Sequence, residues 1–482
     1  MKIGYISYEV APFAKVGGLA DVAGALPKYL KKMSEDIFVV MPYHKVIDSN
    51  ISSKPEFVKS ELYPISHTFK KAFSVYKTFL PNSNVTVYLL KNDDLFYTEE
   101  VYSEDMDVSL QSSYFCDCVL SLIKELEPDT QIININDWQT SLIPIYLKIN
   151  YSDDPILSSM GTVLTIHNLG FQGIFDSSKI EMCGFPAYLY NIDALEFFGN
   201  INFLKGGILF SDVINTVSKT YAEEIQTEEF GNKLDGVLRI KSENLYGILN
   251  GIDYEIYDPL KNKNLFFPIK DFEYKQKNKI ELQKYLNLKE DKNRPVISFI
   301  GRLFDQKGVD LIANTIEFAL MYDINFVLLG TGDKKYENFF KELKDKYPDK
   351  VYVKIGFDVD LAEKIYAGSD IFIMPSKYEP CGLGQMYSMR FGTVPVVRYT
   401  GGLEDTVREF YSSSETGTGF GFYDYEDCSF YKALTKSIFY FKNNKNDWKT
   451  IFNNCIQQDF SYEKTASQYK ELYKITYSQI KR

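Results

Sequence analysis

Short, continuous runs of apolar residues recur along the chain, separated by segments long enough to form a helix. Apolar runs of four to eight residues are typical of strands that are buried on both faces of a parallel sheet. The pattern predicts strands at residues 2–8, 37–43, 85–92, 132–136, 162–168, 212–218, 295–301, 324–330, 351–356, 371–376 and 394–399.

The segments between these runs carry apolar residues at helical spacing, as in residues 21–33 and 308–322. Strands and helices that alternate in this way, twice over, predict two doubly wound α/β domains. The boundary between the two domains falls near residues 245–259, and an amphipathic segment at 461–482 predicts a C-terminal helix. We therefore expect an N-terminal domain at 1–248, a C-terminal domain at 249–460 and a helix at 461–482.

Length and charge narrow the classes of function. The chain has 482 residues, which suits two domains of about 200–250 residues each. Its net charge of −11 disfavours nucleic acid and anionic membranes as partners. The N-terminus lacks the apolar core of a signal peptide, no apolar run could span a bilayer, and the six cysteines are scattered. We expect a cytoplasmic protein without disulfides, and its few histidines argue against a structural zinc site.

The loop after the first strand, EVAPFAKVGGLADV, joins Lys15 to the paired glycines Gly17 and Gly18. Glycines let backbone N–H groups approach a ligand closely, and the N-terminus of the following helix favours an anion. The loop therefore predicts a phosphate site, with an ordinary strand–helix turn and a solvated lysine as the competing interpretation.

Two loops of the second half are also suited to a phosphorylated sugar. Arg302 and Lys307 follow a predicted strand, and two cations at this spacing fit a diphosphate leaving group. Glu379 follows another strand and precedes Gly382, at a place where a carboxylate can accept hydrogen bonds from sugar hydroxyls. The competing interpretations are an exposed loop and a glutamate that stabilises a helix N-terminus.

Asp137 in INDWQT and the pair His167–Asn168 in TIHNLG follow further strands. Carboxylate, imidazole and amide groups are suitable partners for a ligand rich in hydroxyl groups. A lone histidine is more often a structural group, so these residues support the hypothesis without establishing it.

Eight motifs occur in order along the chain: KVGGLADV, NDWQT, TIHNLGFQG, NFLKGGI, LYGILNGID, GRLFDQKG, AGSDIFIMPSKYEPCGLGQMY and TGGLEDTV. Because the same motifs occur in the same order in bacterial glycogen synthases and plant starch synthases, the chain resembles that family. The resemblance implies the GT-B fold: two Rossmann-like domains facing across a cleft, with a C-terminal helix that crosses back to the first domain. It also implies a retaining, metal-independent glucosyltransferase that extends the non-reducing end of an α-1,4-glucan, such as glycogen or a maltooligosaccharide, from ADP-glucose.

Residue roles are carried over position by position. The resemblance places the diphosphate of the donor at Lys15, Gly17, Gly18, Arg302 and Lys307. It places the glucosyl hydroxyls at Glu379, with backbone groups of Cys381 and Gly382, and lines the glucose pocket with His167 and Asp137. Asn168 and Asn250 are expected nearby, and Leu383 is assigned to donor binding. Phe357 is expected to stack on the adenine and Asp21 to face the cleft. The residues expected to act in catalysis are Glu379, His167, Lys15, Arg302, Lys307 and Asp137.

The chain departs from the family pattern at several supporting positions. Gln139 stands where the family usually has histidine, Gly384 where it has threonine or serine, Glu363 where it has histidine, and Lys377 where it has arginine. These changes bear on acceptor preference and specific activity more than on the donor site.

Three other functions compete with this interpretation. A related transferase could act on sucrose, trehalose or lipid acceptors, but the KVGGLADV and EPCGL motifs argue against it. A homologue that binds glucan without catalysis would not need Lys15, Arg302, Lys307, His167 and Glu379. A dehydrogenase is disfavoured because no G-x-G-x-x-G fingerprint follows a predicted strand.

Overall fold

The structure is a computed structural model that describes residues 1–51, 53–66, 68–103 and 105–481. The chain divides into two compact units. Unit 1 comprises Met1–Gly251 and Tyr462–Arg482, and unit 2 comprises Ile252–Ser461. The sequence places these boundaries at 248/249 and 460/461. Arg482, the end of the helix predicted at 461–482, lies outside the described residues.

The strands of the described residues run, in chain order, as β1 (Lys2–Ile6), β2 (Asp36–Pro42), β3 (Glu56–Leu62), β4 (Phe73–Phe79), β5 (Thr86–Lys91), β6 (Ile132–Asn136), β7 (Gly161–Ile166), β8 (Ile174–Asp176), β9 (Glu196–Phe197), β10 (Asn200–Asn202), β11 (Val213–Thr216), β12 (Leu245–Gly247), β13 (Val296–Ile300), β14 (Asn325–Gly330), β15 (Val351–Ile355), β16 (Ile371–Met374), β17 (Val394–Arg398) and β18 (Phe420–Phe422). Every strand that the apolar runs predicted is present.

The α-helices of the described residues are α1 (Gly18–Lys32), α2 (Ile47–Asn50), α3 (Val108–Leu126), α4 (Ile143–Ile145), α5 (Lys179–Met182), α6 (Phe203–Phe210), α7 (Lys219–Glu224), α8 (Asp235–Ile240), α9 (Phe272–Tyr285), α10 (Val309–Leu320), α11 (Lys334–Lys346), α12 (Val359–Gly368), α13 (Gly384–Arg390), α14 (Gly401–Thr406), α15 (Asp427–Asn443), α16 (Lys445–Ile456) and α17 (Tyr462–Ile480). Short 3-10 turns at Trp138–Thr140 and Asp305–Lys307 carry or adjoin predicted site residues.

Unit 1 is built on a sheet with the strand order β12-β11-β7-β6-β1-β2-β5-β4-β3. The strands pair in parallel from β12 to β5, and β4 and β3 extend the sheet as antiparallel strands. Strands β3 and β4 escaped the sequence prediction because polar residues interrupt both of them, so neither contains a continuous apolar run. A small antiparallel sheet of the order β8-β10-β9 lies apart from it.

Helix α17 belongs to unit 1, although all of unit 2 precedes it in the chain. It buries Tyr469 and Tyr473 against the large sheet. The Tyr473 hydroxyl donates to Asn134 Oδ1 in β6 at 3.1 Å, and Asn215 Nδ2 in β11 donates to the Tyr469 hydroxyl at 2.9 Å. The helix therefore forms part of the core of unit 1.

Unit 2 is built on a fully parallel sheet with the strand order β15-β14-β13-β16-β17-β18. A buried ion pair joins it to α9, since Lys279 Nζ lies 2.7 Å from Asp370 Oδ2 and both side chains are inaccessible. The same carboxylate oxygen accepts the backbone N–H of Val296 at the start of β13. This additional hydrogen bond compensates part of the cost of burying the charges.

Candidate functional site

The predicted site residues fall into two groups, which lie in the loops after the carboxyl ends of parallel strands or, for Gly18 and Asp21, in the first turn of α1. The group in unit 1 consists of Lys15, Gly17, Gly18, Asp21, Asp137, His167, Asn168 and Asn250. The group in unit 2 consists of Arg302, Lys307, Phe357, Glu379, Cys381, Gly382 and Leu383. Ligands of doubly wound sheets bind at this edge, so both groups occupy a suitable place within their own unit.

Glu9 organises the Lys15 loop in unit 1. Its Oε2 accepts the backbone N–H groups of Val16 at 2.6 Å and of Gly17 at 2.9 Å, and its Oε1 accepts the Tyr102 hydroxyl at 2.7 Å. The Gly17 amide, which the sequence assigned to phosphate, is thus bound by Glu9 in this arrangement. Sequence reasoning missed Glu9, although it lies in the same loop.

Lys15 itself is half exposed. Its ammonium group donates to Asp21 Oδ1 at 2.6 Å, with side-chain exposures of 48% for Lys15 and 31% for Asp21. Gly17 has an extended φ of −134°, and no atom of the described residues beyond its chain neighbours lies within 4 Å of where its Cβ would be. Neither backbone conformation nor protein packing requires glycine at this position, so the open space is available to a ligand.

Asp137 occupies a strained position at the end of β6. Its φ of 56° and ψ of −174° lie in a region that side chains rarely adopt. Its carboxylate accepts the His167 backbone N–H at 2.7 Å. Burial raises the pKa of Asp137 to about 7, partly offset by the N–H groups of His167 and Asn168, while nearby Glu9 raises the pKa further.

His167 is held as a neutral ring. Its Nε2 lies 2.9 Å from Asn136 Oδ1, and Asn136 Nδ2 donates to the Ile6 carbonyl, so Asn136 Oδ1 is the acceptor. Burial lowers the pKa of His167 to about 3. The neutral ring then carries its proton on Nε2, and Nδ1 is left as an acceptor, a suitable partner for a sugar hydroxyl.

Gln139, one of the departures from the family pattern, is linked to the Lys15 loop through hydrogen bonds. Its Nε2 donates to the Tyr102 hydroxyl at 3.1 Å, and that hydroxyl in turn donates to Glu9. Its Oε1 is buried and has no partner among the described residues. Asn250 Oδ1 is likewise buried and has no hydrogen-bond partner among the described residues. An unpaired buried acceptor costs about 1–3 kcal/mol, which a ligand donor can recover.

Lys307 and Glu379 form an ion pair in unit 2. Lys307 Nζ lies 2.6 Å from Glu379 Oε2 and 2.9 Å from Oε1, and the Ser376 hydroxyl also donates to Oε2 at 3.1 Å. The sequence assigned the two groups to different parts of a ligand and did not foresee that they pair. Gly308, with φ 70°, permits this approach, because a Cβ would lie 2.0 Å from the Pro375 carbonyl oxygen.

The remaining predicted residues of unit 2 differ in accessibility. Arg302 is exposed, and its guanidinium lies 6.0 Å from the centre of the Phe304 ring but makes no hydrogen bond or ion pair within the part of the chain that the structure describes. Phe357 is 83% exposed, so its ring face is open to a planar ligand. The carbonyls of Cys381 and Gly382 both accept Gln385 Nε2, at 3.0 and 3.1 Å. Leu383 caps the start of α13.

Metal ligation and membrane insertion are not indicated by the described residues. Within residues 1–51, 53–66, 68–103 and 105–481, no group of three or more His, Cys, Asp or Glu side chains is arranged to hold a metal ion. No helix in the same ranges is long and apolar enough to span a bilayer.

Family models and curated proteins similar to this chain cover it almost completely. A model of the starch synthase catalytic domain matches residues 2–240, and one of glycosyl transferases group 1 matches residues 284–439. Glycogen synthase of Petrotoga mobilis is 60% identical over 476 residues, which are 98% of each chain. Glycogen synthase of Thermotoga maritima is 50% identical over 487 residues, which are 100% of each chain.

Solved structures agree with these similarities. The catalytic domain of starch synthase IV from Arabidopsis thaliana, bound to ADP and acarbose, matches with a TM-score of 0.88 at 31% identity and 99% coverage of each chain. Sucrose-phosphate synthase from Thermosynechococcus elongatus matches with a TM-score of 0.61 at 16% identity and 99% coverage of each chain. The second likeness shows the fold alone.

The raised pKa of Asp137 predicts a pH-dependent effect of Asp137→Asn. In the unfolded chain this carboxyl loses its proton near 3.8, and in the folded protein near 7. Between these two pH values the Asp137 carboxyl is protonated in the folded state and ionised in the unfolded state. Rising pH therefore lowers the free energy of unfolding of wild type, but not that of the variant, which has no carboxyl at this position. The variant should gain about 2–4 kcal/mol relative to wild type between pH 4 and 7, with no further gain above pH 8.

Urea denaturation of both proteins at a series of pH values measures this difference. The opposite effect of His167, whose depressed pKa favours folding as pH rises towards 6.5, is present in both proteins and cancels. A difference that stays constant from pH 4 to 8 would show that Asp137 titrates normally.

Proposed function

The chain belongs to the glycogen synthase and starch synthase family of GT-B glycosyltransferases, and from that premise we propose its donor, its acceptor and its stereochemistry. It is a glycosyltransferase that acts in glycogen synthesis by glucosyl transfer. The GT-B fold expected from the sequence is confirmed. In the proposed reaction, glucose passes from ADP-glucose to the non-reducing end of an α-1,4-glucan, with retention of the anomeric configuration and release of ADP.

The choice of donor is supported by a relative and by the exposure of Phe357. The starch synthase IV structure, 31% identical to this chain, is bound to ADP. In unit 2, Phe357 presents an open ring on which an adenine could stack. The Arg302 guanidinium, also in unit 2, lies 6.0 Å from the centre of the Phe304 ring and forms no ion pair with the described residues, so its N–H groups can bind phosphate oxygens.

The proposed step breaks the bond between the anomeric carbon and the diphosphate oxygen and forms a bond from that carbon to the acceptor 4-hydroxyl oxygen. The proton of the hydroxyl passes to the leaving diphosphate. In unit 2, Arg302 and Lys307 neutralise the negative charge of the leaving group, and in unit 1 we assign Lys15 the same role. Since the reaction runs on one face of the sugar, no covalent enzyme intermediate is needed.

The Lys307–Glu379 ion pair fits a site that is poised for a charged sugar donor. A diphosphate attracts Lys307, and sugar hydroxyls can replace the ammonium group as donors to Glu379. Each partner therefore exchanges one strong interaction for another when the ligand binds. In unit 1, neutral His167 offers an acceptor for hydroxyl groups, as does Asn250 Oδ1, which has no partner among the described residues.

We further propose that the reaction needs no metal ion and takes place in the cytoplasm. Three cationic side chains, Lys15, Arg302 and Lys307, can supply the positive charge that a metal provides in other transferases. The cysteines of the chain are free thiols, five of them buried, which suits a reducing compartment.

A donor competition assay tests the proposed reaction. With glycogen as acceptor and equimolar ADP-glucose and UDP-glucose, each labelled differently, we expect label to enter the polymer mainly from ADP-glucose. Excess EDTA should leave the rate unchanged. Preferential use of UDP-glucose, or a rate that EDTA abolishes and magnesium restores, would overturn the corresponding part of the proposal.

Replacement of Lys15 by alanine should lower turnover at saturating donor by about 10²–10³-fold, the usual effect of removing a positioned electrostatic group. Lys45→Ala is a matched control, because Lys45 in the same unit is 46% exposed and also pairs with a carboxylate. Its turnover should match wild type. A Lys15→Ala enzyme with near wild-type turnover would exclude Lys15 from catalysis.

Replacement of Glu379 by alanine should abolish most glucosyl transfer, because the role of Glu379 is to bind ligand. The melting temperature of the variant should stay close to that of wild type. Glu337→Ala is the contrasting control. Glu337 is a buried carboxylate of the same unit, held by Thr331, Gly332 and Lys334. It should lose stability but retain turnover per folded molecule. If Glu379→Ala loses activity only in proportion to its unfolded fraction, Glu379 is structural.

A further inference from the structure

A cavity of about 890 Å³ lies in unit 2, outside the residues assigned to the donor. It is bounded by the edge of the sheet at β17 and β18, by the segment at 407–418 and by the end of α16. Its volume falls within the roughly 300–1,000 Å³ of small-molecule sites. None of the functions described above uses it.

Three tyrosines line this cavity. Tyr411 and Tyr423 are 57% and 63% exposed, an unusual degree for large rings that lie in a concave surface. The Tyr399 ring lies 4.9 Å from that of Tyr423, centroid to centroid, so the two form an aromatic pair. Flat apolar faces of this kind can pack against the apolar faces of sugar rings.

Tyr399 is fixed in place from two sides. Its hydroxyl donates to Glu409 Oε2 at 3.0 Å, and the same oxygen accepts the Gly421 N–H at 2.8 Å. A Cβ at position 421 would lie 2.3 Å from the Tyr399 ring, so the ring can lie on β18 only because residue 421 is glycine. The aromatic wall is thus formed before any ligand binds.

The opposite wall is also preformed. Asn454 Nδ2 in α16 donates to the carbonyls of Glu415 and Gly417, at 3.0 and 2.9 Å, and holds the hairpin at 411–416 against the helix. Gln457 and Gln458 extend this wall with further amide groups. Amides both donate and accept hydrogen bonds, as a polyhydroxy ligand requires.

The charges around the cavity do not favour an anion. Of its lining residues, Glu404, Glu409 and Glu415 are acidic, and Arg408 is the one cation among those that the structure describes. Glu409 is further neutralised by an ion pair with Lys436. A nucleotide or a phosphorylated sugar would meet net negative charge here, whereas a neutral carbohydrate would not.

The position of the cavity relative to the donor residues of unit 2 follows from the strand order. Phe357 follows β15 at one end of the sheet, Glu379 follows β16, and Tyr423 follows β18 at the other end. Helix α14 adjoins the Glu379 loop, since a Cβ at Gly401 would lie 2.2 Å from the Glu379 carbonyl oxygen. The cavity therefore lies on the side of Glu379 that is away from the proposed adenine position.

We propose that this cavity is a second binding site for α-1,4-glucan, which holds a neighbouring stretch or branch of the same polymer. The choice of polymer rests on the proposed function. A second contact keeps the polymer attached between transfers by raising its effective concentration. Short acceptors cannot use both sites at once, so the site distinguishes long from short glucans.

The test compares a Tyr411→Ala/Tyr423→Ala variant with wild type. The ratio of kcat/KM for glycogen to kcat/KM for maltotriose should fall about tenfold, a difference of about 1.4 kcal/mol, because the variant lacks both exposed ring faces. Retardation of the protein in a glycogen-containing native gel should weaken in parallel. Tyr285→Ala is the matched control, because Tyr285 is 58% exposed in unit 2 and lies outside the cavity. It should leave both readouts unchanged.

Two further comparisons make the result decisive. A Tyr411→Phe/Tyr423→Phe variant keeps the ring faces and should retain the wild-type ratio, and a loss equal to that of the alanine variant would overturn the role of the rings. If wild type elongates glycogen and the alanine variant keeps the wild-type ratio and retardation, the second site is disproved while the proposed function stands. If wild type transfers glucose to no glucan, the proposed function itself fails.

Discussion

Parallel strands that are buried on both faces end at a common edge, and the functional chemistry of each unit depends on this constraint. In unit 1, the loops after β1, β6 and β7 carry Lys15, Asp137 and His167. In unit 2, the loops after β13 and β16 carry Lys307 and Glu379. Residues far apart in the chain become neighbours because hydrogen bonding between backbones fixes the register of the strands. The side chains at the edge are not needed to hold the strands together, so they can serve binding and catalysis.

Several of these edge residues are costly to the folded state. Asp137 combines an unfavourable backbone conformation with a desolvated carboxyl, and Asn250 and Gln139 each bury an acceptor without a partner among the described residues. Strain and unsatisfied groups of this kind concentrate at functional sites. Burial of apolar side chains elsewhere compensates for them, since the central strands of both large sheets are almost wholly inaccessible.

The sequence predicted the central strands well and missed several strands at or near the sheet edges, such as β3, β4 and β18, for a physical reason. A doubly buried strand such as β13 or β16 must be apolar throughout, and this leaves a clear signal. Strands β3 and β4 are partly exposed and contain interrupting polar residues, and β18 is only three residues long. Their positions depend on pairing with strands already in place.

Site residues were predictable where a motif carries them, but their partners were not. Glu9 and Tyr102, which are 93 residues apart in the chain, form a hydrogen bond that supports the Lys15 loop. No local sequence pattern predicts a contact over that distance. Lys307 and Glu379 were both identified, yet that they bind each other depends on the approach of two loops that Gly308 allows. Sequence reasoning thus identified chemical groups, whereas the structure was needed to show which hydrogen bonds they already make.

Unit 1 is formed from two segments that are far apart in the chain, and this affects the order in which the two units can fold during synthesis. Its core includes Tyr469 and Tyr473 of α17, which the ribosome produces only after all of Ile252–Ser461. At about 5–20 residues per second, this delay is roughly 10–40 s, during which the large sheet of unit 1 has been made but lacks one of its covering helices. Unit 2, which is continuous in the chain, can complete its folding first. The apolar surface that α17 covers in the finished protein therefore stays uncovered for this interval.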